Sequence, residues 1–198
     1  DLPESEKAKF PLRRAKNAGW ESREQVRSST GLADQKESYQ IVHPRMKGLW
    51  PKESQLPGFK RQLLAFENSC WFLSMQLMSC FAEKLGLDKD FFTGAHNPEQ
   101  SDYQSTLRLL HYYASAEKDS IESASEPAQR PQQWWAGAHT DYDCLTLLFQ
   151  RNQQRGLEVC CDQTKETQTW SPVIPDEGLI TCNIGDMLMR WSDDKLRS

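Results

Sequence analysis

The sequence predicts a mainly β domain with flanking helices, an antiparallel sandwich or barrel, and three observations carry that expectation. From Thr106 onward, short runs rich in Leu, Val, Ile, Tyr and Thr recur about every ten residues, bounded by Gly, Pro, Asn and Asp. No strong crossover helix separates these runs. Upstream of them a single long amphipathic pattern, Phe59 to Leu85, stands ready to pack on a sheet.

Residues 1–58 are polar and carry Pro3, Pro11, Pro44, Pro51 and Pro57, with short apolar islands such as Tyr39-Gln40-Ile41-Val42. They read as an N-terminal arm rather than a core. In residues 59–105, Leu63, Phe66, Cys70, Leu73, Leu77 and Phe81 recur three or four apart, one face of a helix, and Trp71, Met75 and Met78 broaden it. Gly86 is placed to end that helix, and Asp88 to cap a short second one through Phe91 and Phe92, making a helical hairpin. The β region, 106–198, has strands expected over 106–113, 137–142, 144–150, 157–161, 168–173, 179–184 and 187–191. The stretch Ser115 to Gln133 is too poor in apolar residues to offset the entropy of ordering and reads as a mobile surface loop.

Bulk composition narrows the function classes. A chain of 198 residues with 37% hydrophobic residues and seven Trp can fill one core. Its net charge of -4, with basic residues scattered among acids, argues against nucleic acid, which needs Lys and Arg gathered on one surface. Six cysteines without C-x-x-C spacing read as reduced thiols. With a charged first stretch and no membrane-length apolar run, the expected setting is cytoplasmic, away from membranes.

The chemistry is expected at His139-Thr140-Asp141. On an extended strand residues two apart share a side, so an imidazole and a carboxylate could meet on one divalent first-row metal. By itself the triplet is weak: with four His and thirteen Asp, roughly a quarter of an instance arises by chance. Its surroundings are more specific. His139 to Gln150 resembles the H-T-D-x-x-x-L-T-L-L-x-Q segment of the isopenicillin N synthase-like 2-oxoglutarate/Fe(II)-dependent oxygenases. In the same order follow Gly156-Leu157-Glu158-Val159, Trp170-Ser171-Pro172-Val173 and Asn183-Ile184-Gly185-Asp186, similar to that family's G-L-Q/E-V, W-x-x-V and N-I/L-G-D. Upstream, Asp1 to Lys7 resembles its L-P-x-E-x-K and Asp34-Gln35-Lys36-Glu37 its D-x-K-E.

The resemblance implies a double-stranded β-helix, or jelly roll, here incomplete and lacking its last strands, so that 106–198 would be a truncated oxygenase core. It implies His139 and Asp141 as two of three iron ligands. The third would be a histidine in a T-x-H-R-V-like context a few residues after a strand at Met187 to Trp191, followed by an R-x-S that binds 2-oxoglutarate. Arg197-Ser198 precedes both positions. Leu107 to Tyr113 resembles the strand bearing N-Y-Y-P, which makes Tyr112 the residue expected to bind the cosubstrate, with Leu110 replacing the family's Asn. The implied activity is Fe(II)-, 2-oxoglutarate- and O2-dependent oxidation of a small-molecule substrate by hydroxylation, desaturation or ring closure, with ascorbate as an optional reductant. The alternatives are an iron oxidase that dispenses with 2-oxoglutarate, and a non-catalytic fragment with an incomplete metal site. Of the other candidates, His111 reads as a hydrogen-bonded strand residue, His43 and His96 as surface residues, Asp143 as a weak rival ligand and Asp186 as a turn former.

Overall fold

The computed structural model describes residues 2–26, 31, 33–113, 136–151, 154–160 and 169–198. It divides into two compact units, Asp1–His139 and Thr140–Ser198.

The first unit is built on a three-stranded antiparallel sheet, β1 (Gly19–Ser22), β2 (Lys36–Ile41) and β3 (Leu107–Tyr112), with β2 in the centre. Residues 1–58, expected to be an arm, supply two of its strands and most of its largest apolar cluster. Ala18, Ile41, Val42, Met46 and Leu49 are buried together, and Phe10, Tyr39, Trp50, Leu63 and Leu107 pack against them. Single apolar residues spread over short elements leave no periodic signal, so this core is invisible in a composition that looks polar.

Two of the upstream motifs meet in this unit. Lys7, in the short helix α1 (Glu4–Lys7), donates to Glu37 Oε1 at 2.8 Å, so the last residues of L-P-x-E-x-K and D-x-K-E form an ion pair across thirty positions. His111 Nδ1 donates to the same oxygen at 2.8 Å and Trp20 Nε1 to Oε2 at 2.8 Å. Burial would push the Glu37 carboxyl up, but these three donors outweigh it and hold it below the ordinary carboxylate value. His111 is therefore the hydrogen-bonded strand histidine that the sequence suggests.

The long helix α2 runs Phe59–Lys84. Its C-terminus closes as a Schellman motif: Leu87 N donates to Ala82 O at 2.9 Å and Gly86 N to Glu83 O at 3.0 Å, with Gly86 at φ +75°. Met78 and Ala82 are its fully buried residues, whereas Phe66 and Phe72 are exposed. The second helix of the expected hairpin does not form. Asp88 Oδ1 caps only Asp90 N, and the chain makes turns and a 3-10 turn at Thr93–Ala95. His96 ends that turn half-buried rather than on the surface: its Nδ1 contacts Phe92 O at 2.8 Å, and its carbonyl accepts from Trp71 Nε1 of α2. His43 is exposed in a 3-10 turn, His43–Arg45, as expected.

One group on α2 is out of place in an apolar setting. Glu67 has its Oε1 buried without a hydrogen-bond partner, and burial pushes its carboxyl up to about 7. Burial, and then the nearby Glu67 charge, also raise the Cys70 thiol; the Tyr103 phenol is raised mainly by burial.

In the second unit, β4 (Leu145–Leu148) pairs antiparallel with β7 (Thr181–Ile184), and β5 (Glu158–Cys160) with β6 (Trp170–Pro172). The inner pair is nested in sequence within the outer one, the pairing of a long antiparallel ribbon from which jelly rolls are wound. Two expected strands are absent. Met187–Trp191 belongs to a helix, α3 (Asp186–Trp191), because Gly185 is extended and its carbonyl accepts from Met189 N, while the Met-Leu-Met-Arg-Trp run holds no β-branched residue. The segment 137–142 forms no ladder; it bends. The loop expected over Ser115 to Gln133 lies outside the described residues. Among the described residues no helix is long and apolar enough to cross a membrane.

Candidate metal centre

His139 and Asp141 lie in the irregular segment between Ala136 and Cys144, so strand parity does not orient them. Hydrogen bonds do. His139 Nδ1 lies 2.7 Å from Gly137 O. A carbonyl only accepts, so Nδ1 donates, and a backbone contact of this kind orients an imidazole ring.

Asp141 is held by the second unit's outer strand pair. Its Oδ2 accepts from Thr146 Oγ1 of β4 at 2.7 Å and from Asn183 Nδ2 of β7 at 2.8 Å. The register puts Thr146 opposite Asn183, so the carboxylate receives one donor from each strand of a directly facing pair.

The loop after β7 clamps the backbone of the same segment. Asp186 N donates to Asp141 O at 2.8 Å and Gly185 N to Cys144 O at 3.0 Å. A side chain at Gly185 would collide with the backbone of Asp143 and Asp141, so glycine is required there for close approach. Thr140 Oγ1 completes the clasp by donating to Asp186 Oδ2 at 3.0 Å. Asp186, expected to serve only its own turn, instead reaches back with its carboxylate to the H-T-D segment. The sequence singles out His139 and Asp141 but gives Thr146, Asn183 and Gly185 no role. Their only signal is membership of motifs that recur in order.

An imidazole nitrogen and a carboxylate oxygen are donor types that suit Fe(II) or a similar ion. Among the described residues no group of three or more His, Cys, Asp or Glu side chains forms a metal site. Cys144 is no substitute ligand: burial and the Asp143 charge push its thiol up to about 11, so it stays protonated. The other described cysteines, Cys70, Cys80, Cys160 and Cys182, are likewise free of disulfides. Tyr112, in the first unit, lies opposite Lys36 in the sheet and is 42% exposed, on the same strand face as Arg108 and Leu110.

Comparison with known proteins gives these motifs their context. Residues 104–198 match the model of the 2OG-Fe(II) oxygenase superfamily. The whole chain aligns with a full-length Neurospora crassa protein solved in complex with alpha-KG, at a TM-score of 0.79 and 30% identity over 59% of that chain. A proline hydroxylase of Petromyces alliaceus is 32% identical over the whole chain. The region 104–198 belongs to the 2OG-Fe(II) oxygenase superfamily. Its jelly-roll fold is that of this superfamily. A 2-oxoglutarate-dependent dioxygenase of Aspergillus niger is a further relative, 28% identical over the whole chain. The chain spans about 60% of the length of these curated relatives.

Proposed function

We propose that the protein containing this chain is a 2-oxoglutarate-dependent dioxygenase that oxidises a C–H bond of a small organic molecule, with His139 and Asp141 as two of its iron ligands. The observation that carries this reading is the Asp141 carboxylate, fixed from both strands of the β4–β7 pair within a segment matched by the superfamily. Fe(II), when bound, supplies the redox chemistry that joins O2 and 2-oxoglutarate to substrate oxidation. The residues of the chain contribute geometry: Gly137 O accepts from His139 Nδ1 and so orients the ring, and Thr146 and Asn183 hold the Asp141 carboxylate.

Tyr112 is the residue we assign to the cosubstrate, through a hydrogen bond from its phenol. The similar solved structures include complexes of the Neurospora crassa protein with thymine and with 5-formyluracil, and one relative is named a proline hydroxylase. Both support a small polar substrate.

The test is succinate formation from 2-oxoglutarate by the full-length protein with Fe(II), with and without ascorbate, against a panel that includes proline and thymine. Turnover that needs both Fe(II) and 2-oxoglutarate is the expected result. Substrate oxidation without 2-oxoglutarate, or no succinate under any condition, would overturn the reading.

A further inference from the structure

Between the His43–Arg45 turn and the first turn of α2 the surface holds a groove of about 340 Å³, within the size range of small-molecule sites. It is lined by His43, Met46, Lys47, Gly48, Trp50 and Lys60. Its floor is apolar and fixed. Met46 is buried, and the Trp50 indole stands edge-on to Tyr39 and Phe59 at centroid distances of 6.4 and 6.5 Å. The loop that carries both is pinned by hydrogen bonds: Leu49 N donates to Met46 O at 3.0 Å, Tyr39 Oη to Leu49 O at 2.6 Å and Arg13 Nη1 to Lys47 O at 3.1 Å. A groove held in this way needs little ordering to receive a ligand.

The rim carries one sign of charge. Lys47 and Lys60 are exposed, His43 adds an imidazole, and among the described residues lining the groove none is acidic, although the chain has a net charge of -4. Glu53, the one acid between His43 and Lys60 in sequence, is turned instead to Gly58 N at 2.6 Å. Lys60 Nζ lies 5.7 Å from the centroid of the Trp50 ring, so ammonium and indole border the same space. An exposed contact of that kind is weak, and a charged acceptor within reach draws the ammonium more strongly.

We propose that this groove binds a small aromatic anion: its planar ring lies on Met46 and Trp50, and its carboxylate or phosphate sits among Lys47, Lys60 and His43. The floor selects the ring and the rim selects the charge, so a ligand with only one of the two is held poorly. The site uses neither His139 nor Asp141 and does not depend on the dioxygenase reading.

The experiment is a calorimetric titration of the full-length protein with matched probes: AMP against adenosine and inorganic phosphate, and indole-3-carboxylate against indole-3-carboxamide. At least one of the two aromatic acids is expected to bind about tenfold or more tightly than its counterparts that lack the acid or the ring, the worth of a charge-assisted hydrogen bond. Which acid does so tells a nucleotide from an aryl carboxylate. Lys47→Ala and Lys60→Ala are each expected to weaken that binding by about tenfold while the melting temperature holds. Saturating Mn(II) and 2-oxoglutarate are expected to leave it unchanged. Binding of neither acid, or binding matched by adenosine, phosphate or the carboxamide, would overturn the proposal. So would parent-like affinity in either lysine variant, a loss of affinity that only follows a lowered melting temperature, or displacement of the probe by 2-oxoglutarate.

Discussion

In the unit Asp1–His139 the polar groups are secondary to an apolar cluster: Ala18, Ile41, Val42, Met46 and Leu49 are buried together, and charged groups such as Glu37 are buried with their donors around them. In the unit Thr140–Ser198 the weighting is reversed. Leu188 is its one fully buried apolar side chain among the described residues, while Tyr142, Ile174 and Leu179 are more than half exposed. What holds the Asp141 segment there is a set of directed hydrogen bonds from Thr146, Asn183, Gly185 and Asp186. The contrast separates two tasks. Burial is strong but undirected and suits a scaffold, whereas fixing one carboxylate oxygen in space calls for donors with defined angles.

Three changes probe that division, each expected to alter stability and leave Fe(II) affinity of the folded protein alone. The largest effect is expected from Ile41→Ala, since Ile41 is fully buried at the centre of the apolar cluster. Truncation should cost about 2–5 kcal/mol in urea unfolding. A matching loss of metal affinity in the fraction that remains folded would show that scaffold and site are not separable tasks.

Glu67→Gln comes next and acts through pH. The folded carboxyl titrates near 7, above its ordinary 4.5, so the folded state binds the proton more tightly than the unfolded chain. That contribution is fully present below about pH 4.5 and is lost as pH rises through about 7. The parent should therefore lose about 1–2 kcal/mol between pH 5 and pH 8 from this group. The Gln variant should show a flatter profile and greater stability at pH 8; identical profiles for the two would mean that Glu67 is solvated. The smallest effect is expected from Gly86→Ala, at about 1 kcal/mol, because a Cβ is strained at φ +75°. It should appear as a fall of a few degrees in the melting midpoint, about 2–4 °C for a domain of this size, and no fall would argue that the helix end can rearrange.

How much is readable in advance follows the same contrast. The α2 helix is legible because twenty-six residues repeat one period, and its end because Gly86 is the one residue type that suits the left-handed cap. The nested strands are legible from turn spacing. The core of the first unit is not, because Ala18, Val42 and Leu49 come from different short elements and share no period. Nor is the conformation of the His139–Asp141 segment: run spacing suggests a strand over 137–142, but the Asp141 carbonyl is taken by Asp186 N from the loop after β7. His139 and Asp141 stand out through their ordered neighbours, whereas the purpose of those neighbours needs coordinates. Asn183 is forty-two positions from the carboxylate it serves, a partnership that no local pattern encodes.

The nesting of β5–β6 inside β4–β7 also bears on the order in which the site is assembled. Bringing Asn183 to Asp141 directly would close a loop of forty-two residues, and the entropic cost of closure grows with loop length. If β5 and β6 pair first, the outer strands are drawn together and most of that cost is already met. Such a ribbon zips from its hairpin toward its open end, and the Asp141 cradle sits at the open end. The Asp141 cradle is then among the last parts of this unit to form on the folding pathway, and the first to fray when the ribbon begins to unzip.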